Sequence, residues 1–258
     1  MVSVILSIAG SDCSAGAGLQ ADLKAGYALG CYPLTAVSCV VSEAPGCVAG
    51  IVPMEPAFVV SQMQLCFKHF PVAAAKTGML YSAATVRAVA AALPEGLPLV
   101  VDPIITATAG ARLMDERQQT LTAYEEALFP RATLITPNRD ELCRLTATER
   151  ISTPGELATA AATLAARYHC AVLAKGGHLP GSECTDALAL PSGATRLWAH
   201  PRTPGIPTHG TGCTLSAAIT AYLAHGEPLE QAIEHALSYT AAAIADSHHW
   251  GGTFALRH

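Results

Sequence analysis

The chain carries few charges: 14% of its 258 residues are Asp, Glu, Lys or Arg, against 51% hydrophobic. That composition excludes disorder and an extended coiled coil, both of which need more charge than is present. Basic residues are in deficit, 15 Lys and Arg against 20 Asp and Glu, giving a formal net charge of -5. Such a surface suits neither nucleic acid nor an anionic membrane, so no partner of either kind is expected. No apolar run reaches the ~18–20 residues needed to span a bilayer. The apolar stretch 2–9 lacks a basic leader and runs into Asp12, which argues against a signal peptide. There is no C-x-x-C pair; nine cysteines, an odd number, lie scattered. Neither a disulfide framework nor a cysteine zinc site follows, and the expected compartment is the cytoplasm. Both common nucleotide motifs are missing too, since no lysine follows Gly212 as in a Walker A loop and Leu215 occupies the third glycine's place of G-x-G-x-x-G. Linkers, repeats and low-complexity tracts are absent, so residues 1–258 read as one domain, long enough to bury a large core.

What is present is Thr208-His209-Gly210-Thr211-Gly212-Cys213-Thr214-Leu215-Ser216-Ala217-Ala218, a glycine-rich turn running into an apolar helical pattern. The leading N–H groups of a helix lack acceptors within it and carry partial positive charge, so such a turn suits a phosphate or a developing oxyanion. A thiol at this point is expected to have a lowered pKa, which makes Cys213 a candidate proton acceptor or nucleophile. A helix start that only permits close packing, with Cys213 as a small buried apolar residue, remains open at this level.

Short apolar runs alternate with helix-period segments along the chain. Residues 2–9, 34–41, 72–75, 97–101, 132–135 and 171–174 predict strands buried on both faces, as in a parallel sheet. Between them Leu19/Leu23/Tyr27, Val59/Met63/Cys66/Phe70, Leu157/Ala161/Leu164/Tyr168, Leu215/Ile219/Tyr222 and Leu229/Ile233/Leu237 predict amphipathic helices. This β-α-β rhythm predicts an α/β fold with a doubly wound, mainly parallel central sheet and helices on both faces. Residues 184–190 and 195–199, joined at Pro191-Ser192-Gly193, predict a hairpin appended late in the sheet.

Polar residues gather where these strands end: Gly10-Ser11-Asp12, Lys76-Thr77-Gly78-Met79, Asp102-Pro103, Thr136-Pro137-Asn138 and Lys175-Gly176-Gly177-His178. Ligands of open α/β sheets bind outside the carboxyl ends of the strands, so these loops are expected to converge on one cleft with the 210–213 turn. Singly each has a plainer reading: Asp102 as a cap, Asn138 as a helix start, Lys76 as a solvated strand-end charge. Their coincidence favours a site.

Together the motifs resemble the ribokinase-like small-molecule kinases, and within them the hydroxymethylpyrimidine/phosphomethylpyrimidine kinases of thiamine synthesis. The matching residues run almost end to end: Ile8-Ala9-Gly10-Ser11-Asp12 with Gly16-Ala17-Gly18-Leu19-Gln20-Ala21-Asp22-Leu23-Lys24, Lys76-Thr77-Gly78-Met79-Leu80, Val101-Asp102-Pro103, Ile135-Thr136-Pro137-Asn138 with Glu141, Lys175-Gly176-Gly177-His178, and His209-Gly210-Thr211-Gly212-Cys213. The resemblance implies ATP as donor, Mg²⁺, a heterocyclic alcohol as acceptor, phosphorylation of a pyrimidine hydroxymethyl group and then of its monophosphate, and a homodimer. By the same resemblance Cys213 takes the hydroxymethyl proton, where many relatives have aspartate. Backbone N–H groups of Gly210, Thr211 and Gly212 form the anion hole, with Asn138 on the phosphates. Lys175 neutralises phosphate, Glu141 helps to hold Mg²⁺ through water with Asp102 assisting, and Gly10, Asp22, Glu43 and Met79 contact the heterocycle.

Two residues depart from the family's pattern. Glu43 stands where the pyrimidine kinases usually carry glutamine; an ionised carboxylate accepts hydrogen bonds and cannot donate. Thr108 stands where relatives usually show lysine. Glu43 keeps a pyridoxal or pyridoxine kinase in view. Other classes are a thiol-nucleophile hydrolase or transferase using Cys213 with His209, and a non-catalytic sensor, against which Cys213, Lys175 and Glu141 speak. His248 and His249 are adjacent, so on a helix their rings diverge and no metal site is expected there.

Overall fold

In the computed structural model of the protein, residues 1–105, 117–202 and 209–258 are described. Thr108 lies outside them. Among the described residues one sheet takes nine strands: β1 (Val4–Asp12), β2 (Tyr32–Ala44), β3 (Cys47–Pro53), β4 (Val72–Thr77), β5 (Leu99–Val101), β6 (Leu134–Ile135), β7 (Ala171–Ala174), β8 (Glu183–Ala189) and β9 (Thr195–Pro201). Their order is β3-β2-β1-β4-β5-β6-β7-β8-β9. The six strands from β2 to β7 in that order run parallel, β3 closes one edge antiparallel to β2, and the β8–β9 hairpin extends the other edge antiparallel to β7. The mainly parallel sheet and the late hairpin therefore stand as expected from the sequence.

Alternation along the strands supplies both faces. Leu99 and Val101 belong to one apolar cluster and Val100 between them to another; Ile135 and Leu134 divide in the same way, as do Val172 and Leu173. Successive strand side chains point to opposite faces, so a strand with cores on both sides must read as a continuous apolar run. The larger cluster is covered by α2 (Pro56–His69), α3 (Ala83–Ala92), α4 (Arg117–Ala123), α5 (Arg139–Thr146) and α6 (Pro154–Tyr168), and the other face by α1 (Gly18–Ala28), α7 (Thr211–Ala224) and α8 (Leu229–Ala245). Every residue from Cys213 to Ala221 in α7 is buried, because this helix lies against the sheet with α1 and α8 beside it.

Several expectations need correction. Leu23 and Tyr27 do not face the core: they are 37% and 78% exposed, while α1 buries Leu19, Ala21, Asp22, Ala25 and Gly26. The small residues let the helix sit close to β1, where a side chain at position 26 would meet Ile5 at 2.8 Å. Phe70 lies beyond the end of α2. Unexpected elements are the edge strand β3, the alanine-rich α3, and a separate C-terminal hairpin of β10 (His248–Trp250) and β11 (Thr253–Ala255). His248 and His249 thus lie on a strand, where neighbouring side chains still diverge.

Candidate active site

A cavity of about 530 Å³ opens at the carboxyl ends of the parallel strands. The loop after β1 forms one wall, and Asp12 organises it: the buried carboxylate accepts from the N–H groups of Ser14, Gly16 and Ala17 at 2.7–3.1 Å and from the Ser14 hydroxyl at 3.0 Å. His209 joins it, Nε2 to Oδ2 at 3.4 Å. Burial alone would raise Asp12, but His209 and these donors outweigh it and hold the carboxyl at about 2, while His209 is raised by the same contact.

This seam brings the 209–213 turn against the β1 loop. Gly210 caps α7 with φ +81, and a Cβ there would lie 1.9 Å from the carbonyl oxygen of Gly16, so only glycine fits. The first turn of α7 contains no acidic residue, leaving the field of the helix N-terminus to an anion. A side chain at Gly212 would meet Lys175 Nζ at 3.1 Å, which puts the Lys175 ammonium directly beside the turn.

Lys175 is held by Asp102, Nζ to Oδ1 at 2.8 Å. Thr136 Oγ1 donates to the same oxygen at 3.1 Å, and Ser216 Oγ to Oδ2 at 3.4 Å. Burial pushes Asp102 up, yet Lys175 and Lys76 outweigh it and keep it below the ordinary carboxylate range. Asn138 opens α5: its side-chain oxygen accepts from Asp140 N and Glu141 N, both at 2.9 Å, and Glu141 returns the favour to Asn138 N at 2.8 Å. This capping box commits the Asn138 oxygen, so a contact with phosphate falls to the side-chain nitrogen. Glu141 also accepts from Ile105 N at 3.3 Å, and burial pushes its carboxyl up to about 7, with Asp102 reinforcing and Lys175 opposing.

The end of the cavity between β1 and β2 is more apolar. Gly10, Glu43 and Met79 line it with Val41, Val48 and Ile104. Glu43 sits on the part of β2 that overhangs the cavity with β3; burial raises its carboxyl, and the negative charge of Asp12 adds to this. Asp22, by contrast, does not line the cavity. It is 1% exposed and forms an ion pair with Lys76 at 2.6 Å. Lys76 is itself 1% exposed, which corrects the expectation of a solvated strand-end charge. A lysine on a strand buried on both faces must find a carboxylate, and the polar residue among the alanines of α1 is the available one.

Cys213 lines the cavity but its thiol does not behave as its helix position suggested. Burial pushes it up to about 12, and the opposing pull of Lys76 and of the Gly18 N–H is too weak to reverse this. A helix N-terminus lowers a thiol pKa where water reaches the sulfur, and Cys213 is 8% exposed. Among the described residues no hydrogen bond joins His209 to Cys213; the His209 ring turns to Asp12 instead, which removes the pairing that a thiol-nucleophile hydrolase needs.

No group of three or more His, Cys, Asp or Glu among the described residues is arranged to hold a metal ion. Asp102 and Glu141 both line the cavity beside Lys175, a donor set that fits Mg²⁺ held by one or two carboxylates, water and substrate phosphates rather than a closed protein cage. No described helix is long and apolar enough to cross a membrane.

Residues 12–256 match the family described as phosphomethylpyrimidine kinase. A hydroxymethylpyrimidine/phosphomethylpyrimidine kinase of Rhizobium meliloti is 39% identical over 95% of this chain and 91% of its own length. The thiamine biosynthesis bifunctional protein ThiED of Geobacter sulfurreducens is 42% identical over 93% of this chain, which spans 49% of that longer protein. Among solved structures, an ADP complex of Bacillus subtilis pyridoxal kinase superposes with a TM-score of 0.91 at 30% identity, covering 100% of this chain and 98% of that one. Phosphomethylpyrimidine kinase from Clostridium difficile superposes with a TM-score of 0.80 at 30% identity, covering 94% of this chain and 99% of that one.

Proposed function

Since the chain belongs to the phosphomethylpyrimidine kinase family, we propose that it is the ATP-dependent phosphotransferase that phosphorylates the hydroxymethyl group of 4-amino-5-hydroxymethyl-2-methylpyrimidine and then the resulting monophosphate, in thiamine biosynthesis. The observation that carries the reading is the convergence of the 210–213 turn, Lys175 and the half-buried Glu43 on one cavity. Cys213 accepts the proton of the hydroxymethyl group as its oxygen attacks the γ-phosphorus. The N–H groups of Gly210, Thr211 and Gly212, fixed by the Gly16 contact, meet the charge that develops on the phosphoryl oxygens, and Lys175 and Asn138 add to them. Glu141 and Asp102 would hold Mg²⁺, which when bound neutralises phosphate charge. Glu43 accepts from the exocyclic amino group of the ring. Asp22 serves the site indirectly, as the counterion of Lys76. The reading includes a single kinase domain over residues 1–258 and a cytoplasmic homodimer that binds neither nucleic acid nor membrane.

Pyridoxal kinase is the second reading, favoured by the Glu43 carboxylate and by the higher TM-score to the Bacillus subtilis enzyme. Backbone likeness at equal identity reads the fold and not the acceptor, so the sequence relatives decide in favour of the pyrimidine. Replacing the proton acceptor tests the chemistry: Cys213→Ala is expected to lower kcat by about 10²–10⁴-fold with ATP affinity little changed. Near-parent turnover removes Cys213 from the mechanism, and an acylated Cys213 with ATP dispensable would establish the hydrolase instead.

A further inference from the structure

Beneath the anion turn lies a pair of charges with no direct part in the transfer. Lys76 on β4 and Asp22 on α1 are each 1% exposed and neither lines the cavity. Lys76 Nζ lies 2.6 Å from Asp22 Oδ1, and Asp22 Oδ2 accepts from Ser7 Oγ on β1 at 2.5 Å. The same ammonium donates to the carbonyl oxygen of Cys213 at 3.5 Å. An ion pair sealed from water is a poor packing device, because desolvation offsets its Coulomb attraction and an apolar pair of similar volume would join α1 to β4 as well. What it does supply is an ammonium held against the Cys213 carbonyl, anchored by a carboxyl group that burial pushes up against the pull of Lys76.

Charged and polar groups act on the thiol from every element around it. Lys76 on β4 favours the thiolate; Asp22 on α1 and Asp102 after β5 oppose it. Lys175 after β7 feels the sulfur's charge in turn, and the Gly18 N–H at the start of α1 donates to the sulfur. Burial pulls Lys76 down, but Asp22, Cys213 and Asp102 outweigh it, so the ammonium stays charged.

We propose that the Lys76–Asp22 pair positions and tunes Cys213: Asp22 anchors the ammonium, the ammonium holds the Cys213 carbonyl, and together they set how readily the sulfur receives a proton from the acceptor. The role assigned to the pair rests on Cys213 being the proton acceptor of the proposed kinase. Lys76 and Asp22 touch no reacting atom, so their effect has to be read on the thiol itself.

The test is the pH dependence of Cys213 alkylation by iodoacetamide in the full chain, without ATP or acceptor, followed by peptide mass spectrometry to separate Cys213 from the other eight cysteines. The thiolate sulfur bonds to the reagent's methylene carbon and iodide leaves, so on the rising limb the rate follows the thiolate fraction and changes tenfold per pH unit of midpoint shift. Lys76→Met is expected to slow alkylation at fixed pH by about tenfold or more, and Asp22→Asn to speed it by a similar factor. The double variant should return towards the parent. A merely structural pair would give a different pattern, with both single variants alkylating faster because the core has loosened; that result, or no change in either, overturns the proposal. Should Lys76→Met fail to fold, Lys76→Gln takes its place beside Asp22→Asn, and a Lys76→Gln rate at or above the parent's overturns the proposal. Absence of phosphoryl transfer in a separate kinase assay would sink the kinase reading and leave these rates unaffected.

Discussion

Gly210→Ala separates the cost of a strained turn from the cost of a displaced anion hole. The backbone there has φ +81, so alanine meets a penalty of about 1–2 kcal/mol for the left-handed conformation alone. A Cβ would also sit 1.9 Å from Gly16 O, against the about 3.3 Å of a tolerable C···O contact, so the start of α7 must move away by about 1.4 Å. Oxyanion donors work over a range of only a few tenths of an ångström, and a displacement of this size is expected to lower kcat by about 10²–10³-fold. Gly226 supplies the control: its φ is +84 and nothing lies within 4 Å of the position a Cβ would take. Gly226→Ala should lose the strain penalty, about 2–8 °C in Tm for a chain of this size, and keep its turnover. Gly210→Ala should lose more in Tm and nearly all turnover. Thermal unfolding and steady-state phosphoryl transfer on both variants give the comparison; equal Tm losses with turnover preserved in Gly210→Ala would refute the contact and the role of the turn.

Because the Cys213 thiol is raised to about 12, the thiolate fraction grows as pH rises, and kcat should climb about tenfold per pH unit through the neutral range; a flat profile from about pH 6 to 9 would exclude the thiolate as base. Lys175→Ala removes the phosphate-neutralising charge and strands Asp102, so kcat/KM for ATP should fall by about 10²-fold or more, and parent-like ATP dependence would mean the phosphate end has been misplaced. Glu43→Gln changes an acceptor-only group into one that also donates, and should shift the kcat/KM ratio between pyrimidine and pyridine alcohols by about 10-fold, whereas an unchanged ratio would place Glu43 away from the acceptor. Asp12 has its folded pKa depressed from 3.8 to about 2, so its contribution is present above pH 3.8 and is lost as pH falls through 2. Allowing for solvent screening, Asp12→Asn should cost about 1–2 kcal/mol at neutral pH, and the gap to the parent should close between pH 4 and 2 in denaturant titrations.

The fold was legible where strands are buried on both faces, since 171–174 and its neighbours must be apolar throughout. It was less legible where burial is one-sided or absent. β3 is an exposed edge ending in Pro53 and offers no alternation, and α1 is packed through Ala21, Ala25 and Gly26, whose small size permits close approach while Leu23 and Tyr27 point outward. In the site, Lys175 announced itself by its position at a strand end and Gly210 by the glycine-rich turn before a helix. The charges beneath them did not. Nothing in the local sequence pairs Lys76 with Asp22, 54 residues earlier, although a lysine inside an apolar strand already requires a buried carboxylate. The expected thiolate at Cys213 failed for a related reason: helix position is visible in sequence, but the burial that outweighs it is a property of the assembled sheet, α1 and α7.

The acceptor panel decides the assignment most directly. With Mg-ATP and, separately, hydroxymethylpyrimidine, its monophosphate, pyridoxal and pyridoxine, the chain should form ADP with the pyrimidine methanol and its monophosphate, at kcat/KM values above those for both pyridine alcohols. A preference for pyridoxal or pyridoxine, or no acceptor-dependent ADP from any of the four, would contradict it.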